Sequence, residues 1–138
     1  MSLENEGLAQ LRRHTAWVDP AVQLWNTSLG DNLAFSAEAP ESAPLAAAMA
    51  AADLRTVVQR LPDGLRTSLG EGGSLLSGGE VSACGLARAM AQEHVRLVLL
   101  DEPFRGTDRE QRQRLSEVRD AIGPARHCSA PRTTLSRR

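Results

Sequence analysis

Two short stretches of this chain carry residue types suited to phosphate chemistry. The first is Ser77-Gly78-Gly79-Glu80, set where an Ala/Leu/Arg-rich helical run begins. Ser and Glu at this spacing form a capping box: the hydroxyl accepts from the third helical amide, and the carboxylate reaches back to the serine amide. Gly78 and Gly79 inside the box cost helix stability, about 1 kcal/mol each relative to alanine. They leave bare backbone that another object can approach closely. The first-turn amides and the helix dipole make such an end attractive to an anion. Ser77, Gly78, Gly79 and Glu80 therefore read as a helix end stripped of side chains for a phosphate. Standing alone, the same residues also suit a flexible loop with a good cap.

The second stretch is "RLVLLDEP", Arg96 to Pro103. Four consecutive apolar residues, Leu97 to Leu100, predict a strand buried on both faces. Asp101 and Glu102 follow at its carboxyl end, where open parallel sheets bind ligands. Asp101 is placed to hold Mg²⁺ through water, since that metal prefers oxygen ligands and keeps several waters. The adjacent Glu102 is placed to polarise an attacking water. A solvated acidic turn is the alternative if the strand is taken alone.

The elements that must position these residues are legible around them. "HTAWV" before Asp19-Pro20 predicts a short strand, ended by a proline that cannot donate to a ladder. "VQLWNTSLGDNLAF" predicts a loop and then a short helical turn, with Asn26, Thr27 and Ser28 as possible caps. Leu45 to Leu61 predicts one helix, with Leu54, Val57, Val58 and Leu61 on one face, stopped by Pro62-Asp63-Gly64. A second helix is expected from about Ser77 to Glu93, and a third from Asp108 to Ile122. Residues 123–138 show no periodicity and predict a disordered tail with no apolar strand.

Composition narrows the class. The 138 residues suit one domain. A net charge of −1 argues against a nucleic-acid partner. No apolar run reaches membrane-spanning length, and "MSLENEGLAQLRR" lacks a signal-peptide core. Cys84 and Cys128 have no metal-ligand spacing and read as reduced thiols. His14, His94 and His127 are scattered, as ordinary core or surface histidines are. All 16 basic residues are arginine.

Taken together, "LLSGGE", the "LARAM" helix, "RLVLLDEP" and the Asp108 of "FRGTD" resemble the nucleotide-binding domain of ATP-binding cassette (ABC) transporters, from about His14 to Ala121. "WVDPAVQLWNTSLGDNLAF" is similar to the segment after that family's Q-loop, with Leu24-Trp25 and Asn32-Leu33 in matching places. "LPDGLRTSLGEGGSLLSGGE" resembles the lead-in to the signature motif of exporter-type members. The resemblance implies an α/β, partial P-loop NTPase fold: a helical subdomain, a Walker B strand and an incomplete sheet over 1–122, with 123–138 disordered or out of family. It implies that Ser77, Gly78, Gly79 and Glu80, with Glu for the commoner Gln, contact the γ-phosphate of ATP held by an opposite subunit. Asp101 resembles the Mg²⁺ ligand, Glu102 the catalytic base, and Asp108 the D-loop aspartate. The implied cofactors are ATP and Mg²⁺. The implied partners are a second nucleotide-binding domain, as a homo- or heterodimer, and a transmembrane transporter subunit or domain. The implied location is cytoplasmic, peripheral to the inner face of the membrane through that transporter.

The sequence also departs from the family pattern. The phosphate-cradling G-x-x-x-x-G-K-[ST] loop needs a lysine, and this chain has none. The Q-loop glutamine position falls near Pro20, with Gln23 out of register. Ser82 and Ala83 stand where Gln-Arg is usual. His127 lacks the surroundings of a switch histidine, and that role is not assigned to it. The expectation is a truncated piece of a transporter ATPase, or a frame broken near Gly123. Inactive alone, it would couple ATP hydrolysis to transport when complete. A degenerate subunit supplying the signature motif in trans, and an inactive gene remnant, are the alternatives.

Overall fold

Alternation along two short apolar strands sets the architecture. In β1 (Thr15–Val18), Ala16 and Val18 are buried while Trp17 is 62% exposed. In β2 (Leu97–Leu100), Val98 and Leu100 are buried while Leu99 is 38% exposed. The strands pair in parallel with Trp17 opposite Leu99, so inward residues meet inward residues. The computed structural model describes residues 5–19, 21–37, 44–101, 109, 113 and 127–129. Among these residues β2 is covered on one face, which corrects the expectation of burial on both. Its inner face belongs to the core cluster, and no layer of described residues shields Leu99.

Helix α1 (Asn5–Arg13) leads into β1. Helix α2 (Leu29–Ala34) is capped by Ser28, whose hydroxyl accepts from the Asp31 amide at 3.1 Å. The long helix expected over Leu45–Leu61 is instead two: α3 (Leu45–Ala51) and α4 (Arg55–Arg60). Asp53 adopts a left-handed φ of 56°. The Leu54 amide donates to Met49 O, and the Asp53 amide to Ala50 O. These two bonds form a Schellman stop. The break swings Leu54, Val57 and Leu61 into the same core as Ala48 and Ala52. Burial of that second apolar set overrides the favourable propensity of a continuous helix.

After Pro62 the chain returns to α2. Leu29 N donates to Thr67 O and Leu69 N to Thr27 O, around a Ser28–Ser68 bridge. A glycine turn follows. Helix α5 (Gly78–Met90), shorter than expected by about one turn, packs against β1, α2 and α3. Finally β3 (His127–Ser129) pairs in parallel with β2, giving the order β1-β2-β3. At these three residues the structure differs from a strandless tail. Backbone pairing to an existing strand needs no apolar period of its own. The rest of 123–138, and most of the expected 108–122 helix, lie outside the described residues; Arg109 and Gln113 have helical backbone.

The glycine turn before α5 is held by a close approach. Gly73 has φ 71°, and a Cβ there would sit 2.5 Å from Leu24 Cδ1, a buried core atom. Gly73→Ala should lower unfolding free energy by about 2 kcal/mol, from left-handed strain plus overpacking. Chemical denaturation of the two chains would measure it, and equal midpoints would refute the role given to this contact.

Candidate functional site

The N-terminal end of α5 forms the capping box expected from its sequence. The Ser77 hydroxyl accepts from the Glu80 amide at 3.3 Å, and the Ser77 amide donates to Glu80 Oε2 at 2.8 Å. Ser77 and Gly78 are exposed, Gly79 is buried and Glu80 is half-buried. A Cβ built on Gly78 meets nothing within 4 Å. Nothing inside the described protein therefore requires glycine at that position on steric grounds. The hydroxyl proton of Ser77 stays available to an outside acceptor, and first-turn amides have no acceptor within the helix. The end can receive an anion.

Helix α4 reaches this end as well. The Arg60 Nη2 atom lies 2.9 Å from both carboxylate oxygens of Glu80. Sequence spacing gave no hint of this pair, since the residues are 20 positions apart and on different helices.

Asp101 sits directly after β2, half-buried, with its amide donating to Val18 O at 3.1 Å. This tie continues the β1–β2 ladder and fixes the aspartate at the carboxyl end of the sheet. An aspartate oxygen there suits water-mediated Mg²⁺ binding. Among the described residues no group of three or more His, Cys, Asp or Glu forms a metal cluster. Glu102 and Asp108 lie outside the described residues. The Ser77 end is braced by α4 and Asp101 by β1; no described hydrogen bond joins the two.

Sequence reasoning missed a polar clamp on the opposite part of α5. Arg88 donates from Nε to Asn32 O at 2.6 Å, from Nη1 to Gln23 O at 2.6 Å and from Nη2 to Asn32 Oδ1 at 3.0 Å. Its guanidinium lies 4.7 Å from the Trp25 ring centroid, and Trp25 stacks on Phe35 at 4.0 Å. Asn32, itself buried, pairs with both Trp25 N and Trp25 O. Burial pulls the Arg88 pKa down, opposed by the nearby Cys84. The available signal was an arginine set between Ala87 and Ala89 in an apolar helix, a position that demands partners. Arg88→Met should cost about 2 kcal/mol by leaving two carbonyls unpaired. Arg88→Lys should recover less than half of that, because an ammonium lacks the planar fork. Full recovery in a urea melt would count against the clamp.

Cys84, one turn before Arg88, is fully buried. Burial chiefly pushes its thiol up to about 12, with Arg88 lowering and Glu80 raising it. An unfolded thiol ionises near ~8.5. The raised value therefore contributes stability below that pH, lost as pH rises from there through the folded value. In a Cys128→Ser chain, alkylation of Cys84 should proceed only as fast as unfolding. Rapid modification under native conditions would show the site to be open.

Known proteins are similar to this chain in sequence and in fold. The ABC transporter family model matches residues 1–105. An ATP-dependent lipid A-core flippase of Pseudomonas putida is 36% identical over 137 residues, covering 98% of this chain and 21% of the flippase. The Alkalilimnicola ehrlichii protein of the same description is 34% identical, covering 83% and 20%. Among solved structures, a bacterial Atm1-family ABC exporter with ATP bound superposes with a TM-score of 0.78 at 27% identity, over 88% of this chain and 21% of the exporter. The chain spans about a fifth of the length of the curated relatives it matches.

Proposed function

The chain belongs to the ABC transporter family, and on that premise we propose that it works as the signature-bearing part of an exporter-type ATP-binding cassette ATPase. Ser77, Gly78, Gly79 and Glu80 offer the start of α5 to the γ-phosphate of ATP held by a second nucleotide-binding domain. The observation that carries this is Gly78: exposed, in a helical turn, with open space where a side chain would stand. A glycine that relieves no internal clash and weakens its own helix suits an external object that must come close.

The family implies use of ATP and Mg²⁺. ATP bound by the partner supplies the phosphate, and Mg²⁺ supplies charge neutralisation on it. The residues of this chain do the rest of the positioning. The Ser77 hydroxyl would donate, the Gly78 and Gly79 amides would meet the anion, and the helix dipole favours its charge. Asp101, through water to Mg²⁺, and Glu102, as acceptor of a proton from the attacking water, would serve only a separate nucleotide bound at this chain's own sheet edge, and Asp108 would communicate across the dimer. The partner's own loop would cradle the ATP met by the Ser77 end; with no lysine in this chain, a nucleotide at Asp101 and Glu102 would need its phosphate-cradling loop from outside these 138 residues.

Among the described residues no helix is long and apolar enough to cross a membrane. Docking on a transmembrane subunit or domain, at the cytoplasmic face, is part of the proposal. The coupled output is transport.

The test mixes this chain with an ATP-loaded exporter ATPase domain. ATP-dependent association by sedimentation, and hydrolysis that requires both chains, are expected. Ser77→Arg should abolish both. Gly78→Leu should abolish association while leaving the melting temperature unchanged or raised, since the added side chain meets only solvent. Undiminished association of Gly78→Leu would sink the proposal.

A further inference from the structure

In this chain the signature end carries a carboxylate, Glu80, at the place where a phosphate is to be received. A negative charge in the first turn stabilises the helix but repels an incoming anion. The structure answers that charge with Arg60. Its guanidinium meets both Glu80 oxygens at 2.9 Å, while Glu80 Oε2 also holds the Ser77 amide at 2.8 Å. Arg60, Glu80 and Ser77 thus form one chain of hydrogen bonds from α4 to the exposed helix end.

We propose that Arg60 is a positioning and charge-balancing residue for phosphate reception at the Ser77–Gly78 end of α5. It cancels the Glu80 charge and locks that carboxylate on the Ser77 amide, leaving the serine hydroxyl proton and the Gly78 and Gly79 amides for the phosphate. The inference rests on the proposed reception of a partner-held nucleotide, and it assigns the residue that tunes it. Exposure separates this role from a stabilising one. The Arg60 side chain is 54% exposed, against 19% for Glu80, and an ion pair with one partner so open to water contributes little to folding. Their effect on the local potential a few ångströms away remains.

The experiment measures ATP-dependent association of the full chain with an ATP-loaded exporter ATPase domain, in Mg-ATP, across ionic strength. Arg60→Met should weaken association about fivefold, the scale of one charge at a helix terminus, with no change in melting temperature. Glu80→Gln alone, leaving Arg60 uncompensated, should tighten association and steepen its salt dependence. The double variant Arg60→Met/Glu80→Gln should return to within about twofold of the unaltered chain, since glutamine keeps the capping box without the charge. Unchanged association of Arg60→Met, or failure of the double variant to recover, overturns the role of Arg60. If the unaltered chain does not associate, the reception reading itself fails, an outcome visible before any variant is compared.

Discussion

Much of this structure depends on one half-buried cation being answered by hydrogen bonds. Arg88 projects from the apolar helix α5 and is drawn partly out of water, so its donors need acceptors. It finds them in two carbonyls and an amide oxygen supplied by Gln23 and Asn32. Asn32 is buried in turn and closes on the backbone of Trp25. One guanidinium therefore fixes the path of the loop after β1, the orientation of α2 and the face of α5. The ring of Trp25 covers the cation and stacks on Phe35.

With that face fixed, the rest of α5 has little freedom. Gly85 lies where a Cβ would come within 2.6 Å of Val22 Cγ2, so the helix sits close to the chain leaving β1. Cys84, Ala87 and Ala91 are fully buried. The small residues let α5 approach its neighbours, and close packing transmits that placement along the helix. Its first turn, Gly78 included, is thereby presented at the surface by a rigid rod anchored elsewhere. The phosphate reception proposed for that end would benefit from such an anchor, because amides that do not reorganise hold an anion best.

The two chemical segments differ in how they are held. The Ser77 end is made by local geometry, a capping box within four residues, and is then bound to α4 through Arg60. Asp101 owes its position to sheet pairing, through the hydrogen bond to Val18 that extends the ladder. The sheet leaves Trp17 and Leu99 side by side on an open face. Parallel strands are ordinarily covered on both sides, and the matched exporter relatives are about four times as long as this chain.

The sequence by itself determined the local features: the capping box at Ser77, the strands around Trp17 and Val98, a helix cap among Asn26, Thr27 and Ser28, and the family that these motifs share. Each rests on interactions within a few residues or on an alternation with a fixed period. It misjudged Leu45–Leu61, where helix propensity favours continuity but burial of Leu54 and Val57 requires a left-handed Asp53. It misjudged His127–Ser129, whose strand exists through pairing with β2. The apolar helix around Arg88 demanded partners without naming Asn32 or Gln23, and no spacing along the chain signalled the Arg60–Glu80 pair. Only the tertiary structure decided these, because each joins positions far apart in the chain, and hydrogen bonds and burial act on distance in space.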